Sequence, residues 1–232
     1  MMINNTRIAA IFDVDGTLIA RTSMEQLFIR FLWRRGELGF REMAGALRGA
    51  ADALASGRSP VTTNKGYLRG KDSVRVSLLA RECFDAEIAD RLLPKAIERL
   101  RWHQRAGHFV VLLSGALDVL LEPLSEHLGV SARIGVELEA CDRRLSGRIA
   151  GIHPYGIAKA DCLATIGSAA AFDLKRSFAY ANHHTDRFLL AMVGNPVAVN
   201  ADAKLRQIAA SRGWMIEDFT HRIGMEGVYG GA

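Results

Sequence analysis

A short apolar run that ends in two aspartates constrains this chain more than any other feature. Residues Ile8 to Phe12 are apolar over the length of one strand, and Asp13, Asp15 and Gly16 follow them. A run of this length, bounded by turn residues, is typical of a parallel strand that is buried on both faces. Side chains two positions apart in a strand point the same way, so we expect both aspartates to face the space beyond its carboxyl end. A lone Asp-x-Asp pair more often only closes a strand, so the rest of the chain must decide its meaning.

Strands and helices alternate through the second half of the chain. Phe109–Leu113 and Ser177–Ala181 are strand-like, and helical patterns separate them from each other and from later strands. This alternation predicts an α/β fold with a mostly parallel, doubly wound sheet. The carboxyl ends of parallel strands gather at one edge of such a sheet. We therefore expect Ser114, and the stretch from Asn182 to Asp186, to lie near Asp13.

A long helical stretch separates the first strand from the second. It has about ninety residues without a clear strand, whereas a simple crossover between parallel strands needs only about a dozen. Helical spacing of apolar residues predicts helices over 24–32, 40–54, 72–82, from Asp85 onward, and over 95–105. We interpret the excess as an inserted all-helical domain. The predicted boundaries are residues 20–96 for this insert and residues 1–19 and 97–232 for the core.

The composition excludes several classes of protein. The net charge is +5, but the basic residues are spread along helices, so we do not predict nucleic-acid binding. No uninterrupted apolar stretch reaches the roughly 18 residues that a membrane span requires. The polar N-terminus lacks a signal-peptide pattern, and Cys83, Cys141 and Cys162 show neither metal spacing nor a disulfide framework. We expect a cytoplasmic monomer or homodimer without stable membrane insertion.

The residues that should meet at the sheet edge have the chemistry of phosphoryl transfer. A carboxylate can attack phosphorus and form an aspartyl-phosphate. A second carboxylate can protonate the leaving oxygen and then activate water. Oxygen ligands can hold Mg²⁺, while a hydroxyl and an ammonium group bind the remaining phosphoryl oxygens. Ser114 and Lys159 would supply the last two groups. Either residue in isolation would be an ordinary surface or strand-end side chain.

Four segments resemble, in order, the four motifs of the haloacid-dehalogenase-like hydrolases. They are Asp13–Thr17, Leu112–Gly115, Ala158–Ala160 and Ala181–Asp186. The helical insert directly after the first motif resembles the cap of the phosphoserine-phosphatase-like branch, subfamily IB. The resemblance implies a Rossmann-like core and a Mg²⁺-dependent phosphatase acting on a small phosphorylated substrate.

The resemblance also implies a role for each matching residue. Asp13 would be the nucleophile and Asp15 the general acid and base. Ser114, Gly115 and Lys159 would bind the phosphoryl group. Mg²⁺ would be held by Asp13, by the backbone carbonyl of Asp15, and by motif four, where Asn182 and Asp186 lie.

The fourth motif departs from the family pattern. It usually opens with an aspartate, where this chain has Asn182. An amide oxygen can still bind Mg²⁺, but one negative charge is lost, so metal affinity would fall. His183 and His184 are unusual beside it. They would contact substrate or fill the loop, rather than bind Mg²⁺, which prefers oxygen ligands.

The substrate is not predicted by the resemblance. Phosphoserine phosphatases have a glutamate shortly after motif one that binds the ammonium group of the substrate. The corresponding position here is Thr22, with Glu25 one helical turn further. Four arginines, Arg21, Arg58, Arg69 and Arg75, are available to an anionic substrate, although a solvated role fits each of them better. Two alternatives stay open: a phosphotransferase with the same intermediate, and a phosphate-binding protein whose site is weakened at Asn182.

Overall fold

Seven strands of the described chain form a single sheet. The computed structural model describes residues 6–20, 22–39, 44 and 65–220. The central strands are largely apolar and buried, as expected for strands covered on both faces. They are β1 (Ala9–Phe12), β2 (Phe109–Leu117), β3 (Ala132–Cys141), β4 (Arg144–Ala150), β5 (Phe178–Ala181), β6 (Asn195–Val199) and β7 (Met215–Glu217).

The sheet is parallel except at one edge. Its strand order is β4-β3-β2-β1-β5-β6-β7, and only β4 runs antiparallel to its neighbour. The order reverses direction at β1, which lies between β2 and β5. Ligands of open α/β sheets bind outside the carboxyl ends of the strands at such a point. The predicted doubly wound α/β fold is confirmed.

Helices cover both faces of the sheet. Phe12 and Tyr180 point into one buried layer, while Ile11 and Ala181 point into the other, as the alternation of side chains along a strand requires. No helix within the described ranges has the length and apolarity to cross a membrane. The α-helices whose bounds lie within the described ranges are α1 (Met24–Arg34), α2 (Ser73–Cys83), α3 (Pro94–Arg105), α4 (Asp118–Leu128), α5 (Ile157–Ala169), α6 (Arg187–Leu190) and α7 (Ala203–Arg212).

Helix α1 begins directly after the loop that contains the two aspartates. Ser23 Oγ accepts a hydrogen bond from the backbone of Gln26 at 3.1 Å, and Gln26 Oε1 accepts one from the backbone of Ser23 at 3.4 Å. This reciprocal capping box satisfies two N–H groups that a helix start otherwise leaves unpaired. The buried face of α1 consists of the apolar residues predicted for it: Met24, Leu27, Phe28, Phe31 and Leu32.

The described residues between β1 and β2 are mainly helical. The predicted helix over 40–54 lies outside the described residues apart from position 44, and the predicted domain boundaries stay predictions. The helix expected from Asp85 is wrong: Phe84–Ile88 form a π turn that continues α2, followed by a 3₁₀ turn at Ala89–Arg91. Proline then starts α3, because its fixed φ suits the first helical position.

The segment after the undescribed stretch lies along the β3–β4 hairpin. Lys65 donates a backbone hydrogen bond to the carbonyl of Gly147 at 2.8 Å, and Gly70 donates one to that of Leu145 at 2.7 Å. A side chain at Gly147 would meet the backbone oxygen of Lys65 at 3.3 Å. This close contact between backbones fixes where the Lys65 segment crosses the core.

Candidate active site

The loop after β1 reverses the chain within a few residues. Asp13 extends the β1–β5 ladder, because its N–H donates to the carbonyl of Tyr180 at 2.9 Å. Gly16 then takes a positive φ of 81°, a conformation that is costly for other residues. Its N–H donates to the carbonyl of Ile19 at 2.8 Å. The reversal places Asp13 at the sheet edge and sends the chain into α1.

Lys159 joins two parts of the predicted site. Its Nζ lies 2.6 Å from Asp13 Oδ1 and 3.1 Å from Asp186 Oδ2. The three side chains are between 4% and 6% exposed. Burial alone would lower the pKa of Lys159, but the charges of the two carboxylates outweigh it and hold this pKa above its ordinary value. The Lys159 ammonium therefore stays charged between Asp13 of the first motif and Asp186 of the fourth.

Asp13 is held in one orientation. Thr17 Oγ1 donates a hydrogen bond to Asp13 Oδ2 at 3.2 Å, while Oδ1 faces Lys159. Both carboxylate oxygens thus have a partner within the site. A carboxylate fixed in this way is prepared for attack or metal binding without losing further side-chain freedom.

Asp15 has a different environment from Asp13. Its Oδ1 accepts the backbone N–H of Met24, the first residue of α1, at 2.9 Å. Burial raises the pKa of Asp15 from 3.8 to about 7; the Met24 hydrogen bond opposes this rise, and the charge of Asp13 adds to it. A carboxyl group with a pKa near neutrality can both give and take a proton at physiological pH.

Ser114 and Gly115 lie on β2, the neighbour of β1. The expectation that Ser114 ends its strand is wrong, since β2 continues to Leu117 beyond a register shift. Ser114 is 1% exposed, and its Oγ accepts the backbone N–H of Ala116 at 3.1 Å. That hydrogen bond fixes the orientation of the Ser114 side chain. Since Oγ is the acceptor in it, the O–H group can still donate to a ligand.

Asn182 lies against the loop of the two aspartates. A Cβ atom at Gly16 would come within 2.0 Å of Asn182 Nδ2, so only glycine leaves room for this amide. Asn200 Nδ2 also reaches the loop and donates to the carbonyl of Gly16 at 2.9 Å. The segment of motif four therefore contacts the loop of motif one directly.

Asp186 completes the charged cluster from the other end of motif four. It is 3% exposed. Burial raises its pKa above the ordinary value, and the charge of Lys159 opposes the rise. Asp13, Asp15 and Asp186 thus face one ammonium group, so the fully ionised cluster carries two uncompensated negative charges.

The donor set suits a hard divalent cation. The carboxylates of Asp13 and Asp186, the carbonyl of Asp15 and the amide of Asn182 are all oxygen donors, which Mg²⁺ prefers. The uncompensated charge is also what a divalent cation would neutralise. The residues present therefore fit the metal that the resemblance implies.

The two adjacent histidines contact Asp202 instead. His184 Nδ1 lies 2.9 Å and His183 Nε2 3.5 Å from Asp202 Oδ2. Burial would raise the pKa of Asp202, but N–H groups of Leu205 and His184 outweigh it and lower this pKa to about 2. Asp202 also caps α7 through Leu205 N at 2.7 Å. The histidines thus hold the end of the motif-four loop, which agrees with the loop-filling interpretation.

Sequence reasoning missed a second polar group near the site. Lys65 Nζ lies 2.6 Å from Glu25 Oε2, and Tyr67 OH donates to Glu25 Oε1 at 2.9 Å. Lys65 is 3% exposed. No spacing in the sequence links residues forty positions apart, so only the fold reveals this contact. His153, which packs on Gly115, was missed for the same reason.

Two of the four arginines suggested as substrate contacts, Arg69 and Arg75, lie within the described residues. Arg69 and Arg75 are exposed, and Arg75 pairs with Glu37 at 2.6 Å. Arg21 and Arg58 lie outside the described residues. The solvated role that the sequence favoured for Arg75 agrees with its surroundings.

Comparison with known proteins places the chain in a family. Residues 10–191 match the model of the haloacid dehalogenase-like hydrolases. The chain is 31% identical over 221 residues to phosphoserine phosphatase SerB1 of Mycobacterium tuberculosis strain H37Rv, covering 91% of this chain and 70% of that protein.

Solved structures share the fold. A protein with unknown function from Bordetella pertussis Tohama I matches with a TM-score of 0.79 and 25% identity, over 93% of this chain and 100% of that one. A phospho-aspartyl intermediate analogue of phosphoserine phosphatase matches with a TM-score of 0.62 and 19% identity, over 94% and 96% of the two chains. The family match spans all four motifs, as the sequence predicted, and the chain belongs to the haloacid dehalogenase-like hydrolase family.

Proposed function

We propose that this enzyme is a Mg²⁺-dependent phosphomonoester phosphatase that acts through an aspartyl-phosphate on Asp13. One observation carries the proposal: a buried lysine holds Asp13 and Asp186 together beside an aspartate whose pKa is about 7. A nucleophile, a proton donor and a phosphate-binding cation thus meet at one sheet edge. The relative named phosphoserine phosphatase supports the same reaction class.

The first half of the reaction transfers the phosphoryl group to the enzyme. An oxygen of Asp13 attacks phosphorus, and the bond between phosphorus and the ester oxygen breaks. Asp15, in its protonated form, gives its proton to the departing oxygen, so the alcohol leaves neutral. Lys159, the Ser114 hydroxyl and the backbone of Gly115 bind the phosphoryl oxygens on which charge develops.

The second half releases phosphate. Asp15, now ionised, takes a proton from a water molecule as that water attacks phosphorus. The bond between phosphorus and Asp13 breaks, inorganic phosphate leaves, and both aspartates regain their starting protonation states. A pKa near 7 serves both halves, because the group must first give and then take a proton at the same pH.

Four residues would hold the metal: Asp13, Asp15 through its carbonyl, Asn182 and Asp186. When bound, Mg²⁺ supplies charge neutralisation that lets a carboxylate approach an anionic phosphate. The natural substrate in this proposal is a small phosphorylated metabolite.

The test is hydrolysis of p-nitrophenyl phosphate with Mg²⁺ and after chelation. We expect Asp13→Asn to lower kcat by at least about 1,000-fold, because the nucleophile is removed. Asp161→Asn, an exposed change on α5, is the matched control and should retain full activity. Trapping of phosphate on Asp13 should succeed only in the active protein.

Four results would contradict the proposal in different ways. Undiminished turnover after chelation would show that the reaction does not need a metal. Unchanged turnover in Asp13→Asn would show that Asp13 is not the nucleophile. Faster transfer to added alcohols than to water would indicate a phosphotransferase. Failure to hydrolyse any phosphate ester, with retained phosphate binding, would favour the binding protein.

A further inference from the structure

The loop between β4 and α5 brings a histidine to the phosphate-binding strand. A Cβ atom at Gly115 would lie 3.7 Å from His153 Nε2 and 3.5 Å from the carbonyl oxygen of Pro154. Both ring nitrogens of His153 are buried, and neither makes a hydrogen bond of ordinary length and angle among the described residues, although the backbone of Gly115 lies beside the ring. The imidazole therefore lies next to the proposed phosphoryl site with at least one ring nitrogen available to a ligand.

An unused buried imidazole is costly unless a ligand binds it. A buried polar group without a partner has lost its hydrogen bonds to water and gained none within the protein. Burial, and then the charge of Lys65, lower the pKa of His153, while the backbone of Gly115 acts in the opposite sense. The ring is therefore neutral at pH 7, with one N–H donor and one acceptor nitrogen. A hydroxyl group can satisfy either nitrogen, whereas an ammonium can only donate and a carboxylate can only accept.

The Glu25–Lys65 pair lies close to the same site. The charges of both residues act on His153, and the charge of Glu25 also acts on Asp15. Each oxygen of Glu25 already has a partner, since Lys65 lies 2.6 Å from one and Tyr67 OH 2.9 Å from the other. The carboxylate is thus neutralised from within the protein and does not offer a free negative charge to a substrate ammonium.

We propose that the substrate is the phosphate monoester of an uncharged polyhydroxyl compound, such as a sugar or polyol, whose hydroxyl groups bind His153. In this arrangement the Glu25–Lys65 pair disfavours leaving groups that carry an ammonium. The inference rests on the proposed phosphatase function and deepens it by assigning the class of leaving group. It also distinguishes this enzyme from its relative named phosphoserine phosphatase.

The first test compares leaving groups. Glycerol 3-phosphate and glucose 6-phosphate are compared with phosphoserine, phosphoethanolamine and p-nitrophenyl phosphate. We expect His153→Leu to raise KM for the polyhydroxyl esters at least tenfold more than for the aryl ester, and His153→Gln, which keeps a donor and an acceptor, to restore part of the difference. His127→Leu, an exposed histidine on α4, is the control and should leave all KM values unchanged.

The second test is a gain of function. Lys65→Met leaves the charge of Glu25 without its lysine partner, so we expect the ratio of kcat/KM for phosphoethanolamine to that for glycerol 3-phosphate to rise at least tenfold. Adding Glu25→Gln to Lys65→Met should abolish the gain. Thermal melting checks that each variant is folded. If Lys65→Met does not fold, the His153 variants alone decide.

Binding to Asp13→Asn protein provides a readout that does not need turnover. Calorimetry should show tighter binding of glucose 6-phosphate than of phosphoserine, and loss of that preference with His153→Leu. Equal affinity for both esters, or an equal KM increase for all esters in His153→Leu, would overturn the inference while leaving the phosphatase proposal intact. Absence of any ester hydrolysis, with the binding preference present, would instead contradict the phosphatase proposal.

Discussion

Two polar clusters lie beside the same pair of strands and differ in their charge balance. At the carboxyl ends of β1 and β5 is the candidate active site. On one face of the same strands is a histidine–tyrosine cluster, formed by Tyr180, His103 and His108. Tyr180 OH lies 2.8 Å from His103 Nε2, and His103 Nδ1 lies 2.8 Å from His108 Nδ1. Phe12 stacks on Tyr180, with 4.5 Å between ring centroids.

The histidine–tyrosine cluster is neutral and closed. Burial lowers the pKa of His103 to about 3, and the nearby His108 and Arg99 lower it further. Both nitrogens of His103 have partners within the cluster, so nothing is left for a ligand. The candidate site instead has three carboxylates against Lys159, and the His153 imidazole makes no hydrogen bond of ordinary geometry within the part of the chain that the structure describes. Buried polar groups that satisfy one another stabilise a fold, whereas groups left unbalanced indicate a place for a ligand.

Among the changes that test this difference between the two clusters, replacing Lys159 should have the largest effect on activity. We expect Lys159→Met to lower kcat/KM for p-nitrophenyl phosphate by about 100- to 1,000-fold, because a charged donor to the phosphoryl group is lost. The change should also destabilise the fold in the absence of metal, since breaking a buried ion pair leaves uncompensated charge and costs about 3–5 kcal/mol. Steady-state kinetics and denaturant unfolding in EDTA measure the two effects.

The exposed lysine Lys204 on α7 provides the control. Lys204→Met should alter neither kinetics nor stability. Full activity in Lys159→Met would mean that the buried cluster only holds motifs together, in the same way as the histidine–tyrosine cluster.

The sequence predicted the doubly wound sheet, but not every strand end or the polar groups that surround the site. The position of Asp13 follows from the rule that the carboxyl ends of parallel strands meet at one edge. Lys159 follows the antiparallel strand β4, so its place in the site was implied only by the resemblance to the third motif. Strand β2 runs past Ser114, because a register shift lets pairing resume at Leu117. The contact of Lys65 with Glu25 depends on how the segment from Lys65 to Gly70 packs along the β3–β4 hairpin, and no periodicity in the sequence encodes this packing.

A smaller effect is expected from a change in the charge of one proposed metal ligand, Asn182. We expect Asn182→Asp to lower the Mg²⁺ concentration for half-maximal activity by about three- to tenfold, because metal affinity rises with the number of charged ligands. The two side chains have nearly the same shape, so the packing against Gly16 is preserved. Gln207→Glu, an amide-to-carboxylate change at an exposed position of α7, is the control. An identical Mg²⁺ titration in Asn182→Asp would show that this side chain is not a ligand.

The smallest effect on activity should come from the histidine–tyrosine cluster. His103 has a pKa of about 3 in the folded protein and 6.5 as its ordinary value, so the unfolded chain binds a proton first as the pH falls. Its contribution to stability is therefore complete above pH 6.5 and is lost toward pH 3, by up to about 1.4 kcal/mol for each pH unit. His103→Gln keeps a hydrogen-bonding side chain but does not titrate, so the free energy of unfolding should fall less steeply with acidification than in the wild type.

Comparing His103→Gln with the wild type separates the pH dependence due to His103 from the pH dependence due to the aspartates. Asp15 and Asp186, whose pKa values burial raises, favour the folded state as the pH falls, and they are present in both proteins. Urea unfolding between pH 4.5 and 7 measures the difference in slope, and His127→Gln is the exposed control. Activity of His103→Gln at pH 7.5 should stay within about twofold of the wild type, since substitutions away from reacting groups leave the barrier nearly unchanged. An equal slope in both proteins would mean that His103 titrates freely, and a large loss of activity would mean that the two clusters are coupled through β5.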